Sequence, residues 1–219
     1  METDLDRTIA EFTEELELNP KNADAYYNRG VVYFVKGELD KAITDFTEAL
    51  KINPDDAEAH TNRGNAYAKK GDLDSAIADF TDALKINPKD ADAHYNMGNS
   101  YYRRGELDKA IAEYTEALKI NPEFTQAYIN RGNAYDDKGD LDSAIADYNE
   151  ALKINPKDAD AYNNRGGTYA QKGDLAKAAA DYVEALKIDP RLDAAYYNLG
   201  KVYFMLVTKD VRSDKVICS

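Results

Sequence analysis

Two histidines, 41 acidic residues and one cysteine make up the chain's stock of reactive side chains, and their spacing decides what chemistry they could do. His60 and His94 are the natural candidates for a general base or a metal ligand. They lie 34 residues apart, and at that same interval the chain carries Tyr26, Tyr128, Tyr162 and Tyr196, so an imidazole is standing in for an aromatic ring. Two histidines without a third nearby ligand make a poor metal site, and no metal is expected. Asp90 and Asp92 share an acidic turn, but the alternating ligands, central glycine and closing glutamate of a calcium loop are missing. No phosphate-cradling glycine loop and no nucleophile elbow occurs. Cys218 has no cysteine to pair with and reads as a bystander near the end of the chain. No catalytic residue and no cofactor follow from this inventory, and the chain reads as a non-enzyme.

The residues that do recur are asparagines. Asn28, Asn62, Asn96, Asn130, Asn164 and Asn198 keep one interval, and Asn65, Asn99 and Asn133 follow three places later. A carboxamide offers a donor and an acceptor together, which is the chemistry for holding a peptide backbone without reading its side chains. Asparagine is a poor helix former, so propensity gives no reason to repeat it. On the same stripe lie Asp24, Glu58, Asp92 and Asp160, which suit basic groups, and Tyr27, Tyr95 and Tyr102, which suit apolar ones.

The elements that position this stripe are read from punctuation. Pro20, Pro54, Pro88, Pro122, Pro156 and Pro190 recur every 34 residues, and two glycine tracks keep the same period, with Gly167 alone out of register. Counting each unit from its first residue, as in 23–56, apolar or small residues at places 4, 8 and 11 and again at 17, 20, 21, 24, 27 and 28 follow helical spacing. Two helices per unit result. Lys36, Lys70, Arg104, Lys138 and Lys172 precede the second glycine track, where a cation suits a helix C-terminus and glycine supplies the left-handed stop. Proline closes the second helix. Stacked two-helix units bury their apolar faces only against neighbours, which is why no single stretch stands out as the core.

Aromatic at 4, Gly at 8, Tyr at 11, Ala at 20, aromatic at 24, Ala at 27 and Pro at 32 resembles the tetratricopeptide-repeat (TPR) pattern over nearly the whole chain. The resemblance implies an all-α fold, a right-handed superhelical solenoid of antiparallel helix pairs whose first helices line a concave groove. One solenoid is expected over 1–207: a half repeat 1–22, full repeats 23–56, 57–90, 91–124, 125–158 and 159–192, and a half repeat 193–207, with 208–219 as a flexible tail. The implied function is a scaffold or adaptor that binds an extended, basic or neutral segment of a partner protein. The clamp that some relatives use for acidic tails needs basic residues at places 2, 5 and 6. Those are absent here, and place 2 is instead acidic at Asp24, Glu58, Asp92 and Asp160. The alternative is a self-assembling scaffold working through the unpaired half repeats. A monomer, or a weak dimer through the C-terminal helix, is the expected state.

One departure from the TPR pattern makes a structural expectation. Place 7 is Arg29, Arg63, Arg131 and Arg165, and place 23 is acidic at Asp45, Asp79, Glu113, Asp147 and Asp181. A guanidinium on the first helix could pair with the carboxylate on the second. The formal net charge of −13 and the scatter of lysines and arginines argue against nucleic acid. The acidic start and the lack of a long apolar run argue against a secretory signal or a membrane span, and a cytoplasmic location is expected.

Overall fold

The computed structural model describes residues 4–217, with side chains as far as residue 208; Cys218 lies outside the described residues. Among them are twelve α-helices and no strand, and the chain divides into two compact units. The first holds α1 (Asp4–Leu18), α2 (Ala23–Lys36), α3 (Leu39–Ile52), α4 (Ala57–Lys70), α5 (Leu73–Ile86), α6 (Ala91–Arg103) and α7 (Leu107–Ile120). The second holds α8 (Thr125–Asp137), α9 (Leu141–Ile154), α10 (Ala159–Gln171), α11 (Leu175–Ile188) and α12 (Asp193–Ile217). Within each unit a first helix packs most extensively on its own second helix, which then packs on the next first helix.

Local chemistry sets the helix ends. Asn22, Asp56, Asp90 and Asp158 cap first helices by accepting a hydrogen bond from a backbone N–H of the opening turn. The acidic turn around Asp90 therefore serves as a cap. Asp72, Asp140 and Asp174 do the same for second helices. Hydrogen bonds from Ser75 and Ser143 hold Asp72 and Asp140 below the usual carboxylate range, and those from Lys177 do so for Asp174. Gly37 and Gly71 end α2 and α4 at φ of 80° and 90°, a left-handed conformation in which a β-carbon would be strained.

The core is a repeated knob and socket. Alanines at places 20 and 27, such as Ala76 and Ala83, are fully buried and let the second helix approach closely. Between them the ring at place 24 lies on the glycine at place 8: a β-carbon built on Gly64 would sit 2.8 Å from Phe80 Cε1, and one on Gly98 2.7 Å from Tyr114 Cε1. Burying each such ring contributes about 1.5–3 kcal/mol.

α12 departs from the repeat. It continues unbroken past Val207, where the repeat pattern ends, to Ile217. Gly200 sits in its socket position, and a β-carbon there would have nothing within 4 Å, because no second helix among the described residues covers it.

Candidate functional site

The pairing of places 7 and 23 exists in four repeats. Arg63 Nε and Nη2 donate to Asp79 Oδ2 and Oδ1 at 2.8 and 2.7 Å, and Arg29–Asp45, Arg131–Asp147 and Arg165–Asp181 form the same two-pronged pair. The aspartates are almost fully buried. Pairing with Asp79 and Asp181 pushes Arg63 and Arg165 above their already high ordinary values, against the opposing effect of burial. For Asp147 burial dominates and raises the carboxyl, although Arg131 pulls it down.

A third partner was not anticipated from the repeat pattern. Arg29 Nη1 donates to Thr13 Oγ1, Arg63 Nη1 to Thr47 Oγ1 and Arg165 Nη1 to Asn149 Oδ1, at 3.0, 3.1 and 2.6 Å. Each arginine thus ties its own helix to the second helices before and after it. The guanidinium also lies over the place-4 ring, 5.7 Å from Tyr26 and 5.3 Å from Tyr162.

The histidines fill the same place-4 position and bond to the same carboxylates. His60 Nδ1 lies 3.3 Å from Asp79 Oδ1 and Nε2 3.1 Å from the Pro54 carbonyl. In the third repeat Met97 replaces the arginine, and His94 Nδ1 meets Glu113 at 2.7 Å, so the imidazole takes over the buried carboxylate. His60, Asp79 and Asp82 could bring ligand atoms within 4.8 Å of one another. Arg63 already occupies both Asp79 oxygens, so a cation there would have to displace a guanidinium.

Asparagines at places 6 and 9 line the first-helix wall of each unit. Only Asn28 is exposed; Asn62, Asn65, Asn96, Asn99, Asn130, Asn133, Asn164 and Asn198 are half-buried. In the first unit, Asn62 Nδ2 donates to the Tyr27 hydroxyl at 2.7 Å, and that hydroxyl donates to Glu58 at 2.6 Å. Burial first, then the Glu58 contact, pushes the Tyr27 hydroxyl well above the ordinary tyrosine value. Asn99 Oδ1 accepts from Tyr114 at 2.8 Å, while Asn65 and Asn96 have no side-chain bond among the described residues.

In the second unit the amides bond to one another. Asn198 Nδ2 donates to Asn163 Oδ1, Asn163 Nδ2 to Asn164 Oδ1 and Asn164 Nδ2 to Asn133 Oδ1, at 3.3, 3.4 and 3.1 Å. Tyr148 donates to Asn133 at 2.7 Å, and Gln126 to Asn130 at 3.2 Å. In each unit the bonded amides are therefore held in place, and each retains further donor or acceptor capacity, whereas Asn65 and Asn96 keep all of theirs. Asp24, Glu58, Asp92 and Asp160 stand exposed beside it, with Tyr27, Tyr95 and Tyr102 half-buried. Asn163, at the fifth place of its repeat, belongs to this network although that place carries no repeated asparagine.

An all-α solenoid of antiparallel helix pairs with an amide-lined first-helix wall is a protein-interaction scaffold by class. The TPR-repeat family model matches residues 32–71, 64–105, 98–139, 132–173 and 166–207, and a second tetratricopeptide-repeat model matches 11–44. The chain belongs to the tetratricopeptide-repeat family.

Among solved structures it is similar to YrrB, described as a TPR protein with an unusual peptide-binding site, at 27% identity over 85% of this chain and 96% of that one, TM-score 0.72. It is also similar to MamA, at 28% identity over 74% and 95%, TM-score 0.71. PilF of Pseudomonas aeruginosa, at 18% identity over 88% and 87% and TM-score 0.74, shares the fold. No curated protein sequence matches the chain. Among the described residues no helix is long and apolar enough to cross a membrane.

Proposed function

We propose that the chain is an adaptor whose first-helix wall holds an extended segment of a partner protein through the asparagines. The observation that carries this reading is the amide series itself, half-buried at every position but Asn28, with Asn62, Asn99, Asn133 and Asn164 held in place by tyrosines or neighbouring amides. An amide wall fixed before binding loses little entropy when a peptide backbone docks on it. An extended strand rises about 3.3 Å per residue, so asparagines on helices about 8–10 Å apart meet roughly every third peptide unit. Asp24, Glu58, Asp92 and Asp160 then select basic or neutral side chains. The similarity to YrrB, whose description includes a peptide-binding site, supports the same class.

The test is a displayed library of random peptides selected on the wild type and on the Asn62→Ala, Asn96→Ala, Asn130→Ala triple variant. Selected peptides should be extended and poor in acidic residues, and binding should fall by about 0.5–1.5 kcal/mol for each hydrogen bond lost. Helicity should be unchanged, since alanine is the better helix former. Equal affinity for the triple variant would place the binding surface elsewhere.

A second reading, self-association through α12, is favoured by the open socket at Gly200 and by Tyr196, Tyr197, Tyr203 and Phe204, which are exposed around it. A head-to-tail filament is disfavoured. Glu15 of α1, which accepts from Asn22 at 2.7 Å, stands at place 27, where the second helices of the full repeats have a buried alanine. A closed dimer through paired α12 faces fits better. In sedimentation equilibrium, Phe204→Asp is expected to raise the dimer dissociation constant at least tenfold. A wild type that stays monomeric at every concentration removes this reading.

A further inference from the structure

The out-of-register glycine, Gly167, marks a cleft that two other repeats keep filled. In α6 and α8 place 9 is an asparagine, and its amide oxygen accepts a hydrogen bond from the place-24 tyrosine: Tyr114 to Asn99 at 2.8 Å and Tyr148 to Asn133 at 2.7 Å. In α10 place 9 is Gly167, and the corresponding ring is Tyr182. The residue as a whole is only 2% exposed, and its hydroxyl, which has no protein hydrogen-bond partner among the described residues, is the part open to solvent. The hydroxyl lies 3.8 Å from where a β-carbon on Gly167 would stand, so it points at the missing side chain.

Neither packing nor backbone conformation requires this glycine. A β-carbon would meet only ordinary van der Waals contact, and Gly167 is not among the glycines with positive φ. Glycine in a helix interior is less stable than alanine, so an empty place 9 has a cost that the fold does not explain. The space left is a cleft of about 310 Å³ between α10 and α12. Its polar lining is the Tyr182 hydroxyl, Gln171, Asn198 and Lys201, and Val202 and Met205 form an apolar side.

We propose that this cleft is a socket for the side-chain carboxamide of a glutamine or asparagine carried by a bound peptide. The inference rests on the peptide-binding reading and names one residue type that the groove would select. The internal asparagines show the fit: an amide oxygen 2.7–2.8 Å from a buried tyrosine hydroxyl. Gln171 Nε2 is committed to Asp136 at 2.8 Å and Asn198 Nδ2 to Asn163 at 3.3 Å. Their carbonyl oxygens are unengaged among the described residues, and they accept from an amide N–H₂ where they would repel a carboxylate; the Lys201 ammonium, the one cation of this lining and so the group that would favour a carboxylate, lies over the Tyr197 ring at 5.3 Å. Val202 and Met205 cover the methylene stem.

The probes are three capped tripeptides, acetyl-Ala-X-Ala-amide with X as Gln, Met or Glu. They are titrated into the full chain labelled with ¹³Cζ-tyrosine, with the Tyr182 resonance assigned by Tyr182→Phe. The glutamine peptide should shift that resonance in a saturable way, and the other two should bind at least threefold more weakly. Gly167→Asn, which restores the arrangement of α6 and α8, should abolish the response while circular dichroism stays native. By calorimetry, Tyr182→Phe should weaken the glutamine peptide roughly two- to tenfold, the loss of one neutral hydrogen bond. An equal response to methionine would reduce the cleft to an apolar hole, a stronger response to glutamate would make it an anion site, and an unchanged response in Gly167→Asn would overturn the proposal outright. If library selection depends on Asn62, Asn96 and Asn130 but is indifferent to Gly167→Asn, the socket fails and the groove stands. If the tripeptide binds at Tyr182 while the triple variant selects as the wild type does, the groove reading fails instead.

Discussion

Asp79→Ala is expected to lower the stability of the folded chain by about 2–3 kcal/mol, because it leaves the half-buried Arg63 without its counter-charge. Asp79 accepts from Arg63 Nε and Nη2 and lies against His60 Nδ1, and its side chain is 5% exposed. Asp40→Ala should cost less than about 1 kcal/mol, since Asp40 reaches Lys70 from a side chain 85% exposed to solvent. The loss should also depend on what stands at place 4. Arg63→Met leaves Asp79 with His60, much as Glu113 is left with His94 beside Met97, whereas Arg29→Met leaves Asp45 without a histidine, place 4 there being Tyr26. Arg29→Met is therefore expected to be the more damaging of the two. Urea melts followed by circular dichroism read all four variants. Equal, small losses for Asp79→Ala and Asp40→Ala would show that burial of the pair contributes nothing.

The arginine–aspartate pairs were legible because both partners lie within one repeat, and helix periodicity fixes which places face each other. Their third partner was harder to see. Place 25 reads Thr13, Thr47, Thr81, Thr115, Asn149 and Val183, polar before each arginine of place 7 and before Met97, whose sulfur Thr81 faces at 3.8 Å, and apolar only before Leu199. That correlation was present in the sequence, but it links neighbouring repeats and so depends on how they stack. The asparagine wall shows the same limit. Periodicity put Asn62 and Tyr27 on one stripe, while their 2.7 Å hydrogen bond depends on the spacing of α2 and α4, which the intervening α3 sets. For α12, the repeat pattern ended at Val207 while the helix did not. The sequence contains no glycine or proline after Gly200, so the signals that stop the other helices are missing.

The glycines of place 8 allow a test of opposite signs at equivalent positions. Gly98→Ala puts a methyl group 2.7 Å from Tyr114 Cε1 and 2.8 Å from Cδ1, inside any normal contact. The ring cannot retreat, being fully buried with its hydroxyl bonded to Asn99. Overpacking of this kind costs about 1–3 kcal/mol, and alanine returns up to about 1 kcal/mol of helix propensity. The net expectation is a loss of about 1–2 kcal/mol for Gly98→Ala. At Gly200 the propensity gain acts alone, because nothing lies within 4 Å, so Gly200→Ala should raise stability by about 0.5–1 kcal/mol. Thermal melts at low protein concentration check both, since an associated form would bury the Gly200 face and confuse the sign. If Gly200→Ala destabilises the chain at low concentration as Gly98→Ala does, the socket on α12 is filled in solution. The covering element must then come from the chain itself, because dilution would have removed a second copy.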